Sequence, residues 1–171
     1  MEAVRYKTPD ELKTLVKQNK KAFLLLLKNL KTVKPGTLDS HFHALHEEAF
    51  NTFDCLDCAN CCQNISPIVK ESDIDEMARA LNSKPALLID RYLHIDDERD
   101  YVFNLAPCPF LRSDRRCSIY GHHPKACREY PHTNRRKMHQ ILQLTLKNCE
   151  ICPVVYAIVS KLCQVYNKQI H

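Results

Sequence analysis

Tryptophan is absent from this 171-residue chain, and glycine occurs only at Gly36 and Gly121. Two distant glycines cannot build a glycine-rich phosphate loop or a dinucleotide fingerprint, so both chemistries are excluded. No Gly-x-Ser-x-Gly elbow occurs, which removes the nucleophile turn of the α/β-hydrolases. Long hydrophobic runs are also missing. The one conspicuous run, Ala22 to Leu27, lies between Lys21 and Lys28 and is far too short to span a bilayer. The first residues, Met1 to Lys7, have neither the apolar region nor the small-residue cleavage site of a secretory signal. Neither end carries a lipidation motif. These absences predict a cytoplasmic protein with no membrane partner, in a compartment where thiols stay reduced. The scarcity of glycine predicts that sharp loops rely on Asn, Asp, Pro or an outside constraint such as a bound metal.

What the chain has in quantity is cysteine, ten in all. Four of them fall within eight residues, Cys55-Leu-Asp-Cys58-Ala-Asn-Cys61-Cys62, and Cys108, Cys117, Cys127, Cys149, Cys152 and Cys163 follow. Thiolates this close repel one another unless a cation sits between them, which points to a metal or iron–sulfur site. An even count also permits a disulfide framework, but C-x-x-C-x-x-C-C is a poor disulfide layout and a good chelator layout. Cys55, Cys58 and Cys61 have the spacing that wraps three corners of a cubane [4Fe-4S] cluster, and Cys152-Pro153 has the local form of a remote fourth ligand. Tetrahedral zinc accepts the same sulfurs, so spacing alone leaves both cofactors open.

Neighbouring side chains tend to diverge, so Cys61 and Cys62 are expected to serve two sites, or one to ligate while the other supports it. Cys55, Cys58, Cys61, Cys62, Cys108, Cys117, Cys127 and Cys152 supply enough sulfurs for two four-cysteine sites, with Cys149 a ninth candidate through its C-x-x-C spacing to Cys152. Cys163 lies on an apolar helical face and reads as a buried, inert thiol. His122, His123 and His132 read as surface or supporting groups, and His41, His43 and His46 as solvated positions of a helix.

The formal charge of +5 counts every thiol as neutral. Eight zinc-bound thiolates would leave about +1, and a single four-thiolate cubane about +3. The basicity therefore does not argue for nucleic acid, and Arg112, Arg115, Arg116, Arg128, Arg135, Arg136 and Lys137 read first as charge balance for an anionic centre. Base-stacking aromatics are sparse among them. A metal ion or cluster is thus the first expected partner, and a protein partner is compatible with the sequence.

The expected fold is mainly α with a short β-hairpin, a small cysteine-rich single domain organised by metal. Residues 1–53 are expected to form a helical hairpin packed on the core, 54–153 the cysteine region and 154–171 a final helix. Thr8, Pro9 and Glu11 open the first helix with a capping box, and its apolar stripe runs to Leu30. A Pro35-Gly36 turn is expected next, then a helix from about Leu38 to Phe53. Helices are predicted after Ser72 and after Ser83, the second with Leu87, Leu88, Tyr92 and Leu93 turned inward. A strand is predicted around Tyr101 to Leu105. Cys108–Leu111 is expected to pair with Cys117–Tyr120 across Ser113-Asp114, followed by a short helix near Cys127. The stretch from Met138 to Leu146 fits a helix or a strand, and a helix begins at Pro153.

Cys55 to Cys62, Pro107-Cys-Pro-Phe-Leu111, Cys117-Ser-Ile-Tyr120 and Pro124-Lys-Ala-Cys-Arg-Glu-Tyr-Pro131 together resemble the YkgJ-type cysteine-cluster family, over roughly residues 53 to 153. That resemblance implies a zinc- or iron-chelating domain, often described as an oxidoreductase, with Cys55, Cys58, Cys61, Cys62, Cys108, Cys117 and Cys127 as ligands and Cys152 as a further one. A similar cluster occurs in flagellin lysine methylases, but this chain is too compact to show a separate methyl-donor domain. The family pattern commonly has Arg-Pro where this chain has His123-Pro124.

Overall fold

The computed structural model describes residues 4–167, so the outermost parts of the expected terminal regions, 1–3 and 168–171, lie outside the described residues. In chain order the elements are α1 (Pro9–Gln18), α2 (Lys20–Leu30), α3 (Pro35–Phe50), α4 (Cys55–Cys58), α5 (Asn60–Asn64), α6 (Glu71–Ala80) and α7 (Pro85–Tyr92), then strands β1 (Leu93–Ile95) and β2 (Tyr101–Phe103). They are followed by α8 (Lys125–Glu129), a 3₁₀ turn (Met138–Gln140), α9 (Leu142–Asn148) and α10 (Pro153–Tyr166). The protein is mainly helical with a two-stranded antiparallel hairpin, as its sequence predicts. Among the described residues no helix is long and apolar enough to cross a membrane. Two compact units form: one from the chain up to Asp54 together with the chain from Pro131 onward, the other from Cys55 to Tyr130.

The helical unit begins where the capping box predicts, with Glu11 N donating to Thr8 Oγ1 at 3.3 Å and Thr8 N to Glu11 Oε2 at 2.7 Å. The single helix expected from there to Leu30 is two helices. Asn19 interrupts it: its side-chain amide donates to the Leu15 carbonyl at 2.9 Å and to the Tyr156 hydroxyl at 3.3 Å. An amide that bonds the carbonyl four residues back competes with the helical ladder. Pro35-Gly36 is likewise not a turn but the first turn of α3, where proline's fixed φ is already helical. The reversal falls just before it, where Thr32 N and Val33 N donate to the Asn29 and Leu30 carbonyls. Helix α3 stops at Phe50, short of Phe53. Met138 to Leu146 resolves into the 3₁₀ turn and α9. Helix α10 packs against α2, α3 and α9. Phe23, Leu26, Leu38, Phe42, Val155, Ile158 and Leu162 are buried in this unit.

One face of α3 holds the returning chain. The Asp39 carboxylate accepts Lys137 N and Met138 N, each at 2.8 Å, His43 Nε2 bonds the Arg135 carbonyl at 2.9 Å, and His46 Nδ1 bonds Thr133 Oγ1 at 2.8 Å. Spacings of four and three residues put these side chains in one row. His41 meets the Tyr166 hydroxyl. His41 is exposed as expected, whereas the solvated reading of His43 and His46 is corrected to half-buried, because the segment from Thr133 to Met138 has little regular structure and takes its hydrogen bonds from α3 instead.

Burial, with a smaller push from His43, lowers the His46 pKa from 6.5. Above that value both folded and unfolded chains carry a neutral imidazole. As pH falls below it the unfolded chain takes the proton first, so stability is lost toward the depressed folded pKa. Urea titrations are expected to show a weaker protein at pH 5 than at pH 7, with a smaller difference in His46→Gln. An unchanged difference in the variant would remove His46 as its source.

In the unit from Cys55 to Tyr130, β1 pairs antiparallel with β2 in the register Leu93↔Phe103 and Ile95↔Tyr101. Leu93 thus opens a strand rather than closing a helix, and Leu87, expected inward, is 59% exposed while Leu88 is buried. Ser83 is not the cap of α7; Lys84 holds that position, with Pro85 following. Leu105 lies beyond the strand and is exposed. Val69, Ile74, Met77, Leu88, Phe103, Phe110 and Ile119 form the core, with Cys108 and Cys117 packed against it. The expected pairing of the two cysteine stretches exists in minimal form: a bridge joins Leu111 and Cys117, and Ser118 N donates to the Phe110 carbonyl at 2.8 Å.

The glycine shortage is met by strain rather than by Asn alone. Ala59, Asn82, Arg99, Arg115, His132 and Lys137 all adopt positive φ. Each non-glycine residue there costs about 1 kcal/mol. Arg99, at φ 67, closes the turn between β1 and β2. Arg99→Gly is expected to stabilise the protein by about 0.5 kcal/mol, the relief being partly offset by glycine's greater freedom when unfolded. A lowered urea midpoint would contradict this.

Candidate metal centre

The cysteine run forms two short helices with a left-handed residue between them. Helix α4 spans Cys55–Cys58, Ala59 turns at φ 54, and α5 starts at Asn60. This kink places Cys55, Cys61 and Cys62 on a cavity of about 140 Å³, together with Cys108, Cys117 and Cys127. Cys108 comes from the stretch that follows the cis Ala106-Pro107 bond, Cys117 from the bridge with Leu111, and Cys127 from α8. A backbone bond from Cys108 N to the Cys62 carbonyl at 2.8 Å ties the first two stretches together. Six of the nine sequence-predicted ligands thus line one cavity. Its other walls include Leu56, Ile65, Pro67, Phe103, Phe110, Ile119 and Tyr130, with Arg115 and His123 as the basic side chains.

The Cys61 and Cys62 sulfurs stand 4.0 Å apart and both line the cavity, which corrects the expectation that the doublet diverges. Successive helical residues differ by about 100° around the axis, but each Cβ–Sγ bond can swing toward its neighbour. Cys58 does not line the cavity, yet it is half-buried and close enough to feel the charges of Cys62 and Arg115.

The electrostatics are those of crowded, part-buried thiols. Burial raises the pKa of Cys58, of Cys117, of Cys108 to about 11 and of Cys127 to about 12. Charge on Cys62 opposes ionisation at each of these positions. The Cys62 thiol is pushed up most by its hydrogen bond with Cys61, then by burial. A cation among these sulfurs would reverse that preference, since thiolates are the form that binds metal. The donor set fits zinc or iron by chemistry. Among the described residues, no three His, Cys, Asp or Glu side chains are already arranged to hold a metal ion. The backbone nevertheless places six thiols on one cavity.

Cys149 and Cys152 belong to the helical unit. Cys149 is fully buried at the end of α9 and its sulfur donates to the Thr145 carbonyl at 3.5 Å, while Cys152 precedes α10. Burial, reinforced by Cys152, pushes the Cys149 thiol well up. Cys163 is half-buried, with Sγ 3.7 Å from the Ala22 carbonyl and its pKa raised to about 11 by burial.

The basic residues divide. Arg112 pairs with Asp114 at 2.6 Å, and Arg115 lines the cavity. Arg128 reaches the His123 carbonyl at 2.5 Å, Asp73 at 3.7 Å and Glu76 at 3.9 Å. Glu76 also pairs with His122 at 3.4 Å, and the His123 ring stacks on Tyr120.

Asp73 is the residue that sequence reasoning undervalued. It reads from sequence as an acid suiting the first turn of a helix. In the structure it is buried, accepting Lys70 N at 3.0 Å and Lys125 N at 2.9 Å. It thereby anchors the N-terminus of α8, two residues before Cys127. The capping half of this role was legible from its position; the link to a residue 52 positions away was not.

No curated protein and no solved structure matches the chain. Residues 54–153 match the model of a family described as "CxxCxxCC: Putative zinc- or iron-chelating domain". With seven cysteines in the unit that this match covers, six of them on one cavity, the chain belongs to the CxxCxxCC family of zinc- or iron-chelating domains.

Proposed function

We propose that the unit from Cys55 to Tyr130 carries an iron–sulfur cluster with a redox or cluster-supported role, its ligands drawn from Cys55, Cys58, Cys61, Cys62, Cys108, Cys117 and Cys127. The observation that carries this reading is the cavity itself: six thiols line a space of about 140 Å³. A cubane and a tetrahedral zinc each use four sulfurs, so it is the space, several times the roughly 30 Å³ share of one water, that suits a cluster larger than a single ion. When bound, such a cluster supplies one-electron transfer. The chain's own part is to present thiolates, to set Arg115 against their charge, and to exclude water with Phe103, Phe110 and Ile119. Cys149 and Cys152 stay in the candidate set.

Zinc bound as a structural centre is the second reading, and one distance favours it. Zn–S bonds of about 2.3 Å put tetrahedral sulfurs about 3.8 Å apart, close to the Cys61–Cys62 separation of 4.0 Å. Anaerobic purification tests the two together. A brown protein containing iron and acid-labile sulfide supports the cluster, whereas a colourless protein with stoichiometric zinc overturns it in favour of the structural centre. Metal content of Cys152→Ser and Cys149→Ser then reads whether either contributes.

A further inference from the structure

The apolar run Ala22 to Leu27 is too short to span a bilayer, but length bears on spanning and not on lying at a surface. Helix α2 buries Phe23, Leu26, Leu27 and Leu30 and leaves Leu24 and Leu25 exposed at 55% and 42%. At about 100° per residue, Lys21, Leu24, Leu25 and Lys28 share the outward face, with Lys31 at its end. These three lysines are exposed, as are Lys17 and Lys20 just before them. Among the described residues none of the five makes an ion pair. The acids of the preceding helix are engaged elsewhere: Glu11 in the capping box and Asp10 with Lys13. The result is a leucine pair ringed by uncompensated ammonium groups.

We propose that this outward face of α2 docks on an anionic lipid surface. Lysine stems lie along apolar material while their heads stay in the headgroup layer, so this arrangement suits a lipid interface. A protein partner fits less well, because lysine is depleted in protein interfaces. Nucleic acid would use the lysines but leave the leucines idle. The proposal concerns the helical unit and does not rest on what the cysteine centre binds.

Flotation of the full metal-loaded chain with vesicles tests it. The protein is expected to float with phosphatidylserine–phosphatidylcholine vesicles at low salt, to stay behind with phosphatidylcholine alone, and to be released as salt rises. Each lysine is worth roughly fivefold in binding, so Lys21→Gln with Lys28→Gln is expected to weaken it about 25-fold. Leu24→Ser with Leu25→Ser is expected to weaken it about tenfold. All four positions are exposed, so thermal melts should be unchanged. Failure to float with the anionic vesicles overturns the proposal. So does flotation indifferent to the leucine pair, which would reduce the face to a general polyanion attractor, or capture by an acidic peptide in place of lipid.

Discussion

Asp73→Ala is expected to lower the metal content of the purified protein and to destabilise the unit from Cys55 to Tyr130 by about 3 kcal/mol. The carboxylate is buried and serves two backbone donors, Lys70 N and Lys125 N, besides lying near Arg128. Alanine leaves both amides without their acceptor and the guanidinium with the His123 carbonyl and Glu76. Each lost bond to a charged acceptor is worth about 1.5 to 3 kcal/mol, and exposure of Arg128 to solvent reduces its own share. Because α8 carries Cys127, its loosening also scatters one of the cavity's sulfurs. Asp73→Asn separates the two effects. An amide oxygen can keep one backbone donor but not the charge, so this variant should retain part of the stability and lose more metal affinity than stability. Wild-type metal content together with an unshifted urea midpoint in Asp73→Ala would show that α8 holds itself in place.

Removing the metal is expected to produce the second large effect. A chelator strong enough to strip the centre should lower stability by several kcal/mol, since structural metal sites couple ligand binding directly to folding. Amide exchange should locate the loss. Protection should fall between Cys55 and Tyr130, where the segment from Asn104 to Pro124 has a single bridge as its regular pairing, and persist in α2, α3 and α10. The buried apolar faces of those helices do not depend on any thiol of the cavity. Cys62→Ser should mimic the chelator, as its sulfur lines the cavity 4.0 Å from that of Cys61. Equal exchange in stripped and loaded protein would mean that the loops are held without metal, by their own hydrogen bonds.

Much of this architecture is legible in the residues, and the places where it is not have identifiable causes. The capping box at Thr8, proline at the start of α10 and the helix around Cys127 are local signals, decided within four residues, and each stands where expected. The break at Asn19 was hidden because an asparagine inside an amphipathic stripe is compatible with a continuous helix. What decides the matter is a partner far along the chain, Tyr156. The roles of His43 and His46 are hidden for the same reason: their partners, Arg135 and Thr133, are about 90 residues away in sequence. Leu87 fails differently, while Leu93 is buried as expected but in a strand. An eight-residue helix exposes one face, and a strand that begins at once after it reverses the period of the pattern.

The chemistry available to this protein is written in its residues. Ten cysteines, four of them in one short run, specify a soft-metal donor set, and the order of the later motifs specifies the family. Two glycines exclude phosphate loops, and among the described residues no helix is long and apolar enough to cross a membrane. Which thiols meet depends on the folded chain. It turned at Ala59 so that Cys55, Cys61 and Cys62 line the cavity, and it used Asp73 to bring the Cys127 helix alongside. It also left Leu24 and Leu25 outside the core of the helical unit. The physical reason is the same in each case. Residue type and spacing fix what a side chain can bind and which helical face it shares, whereas convergence depends on long-range hydrogen bonds and packing that no local pattern records.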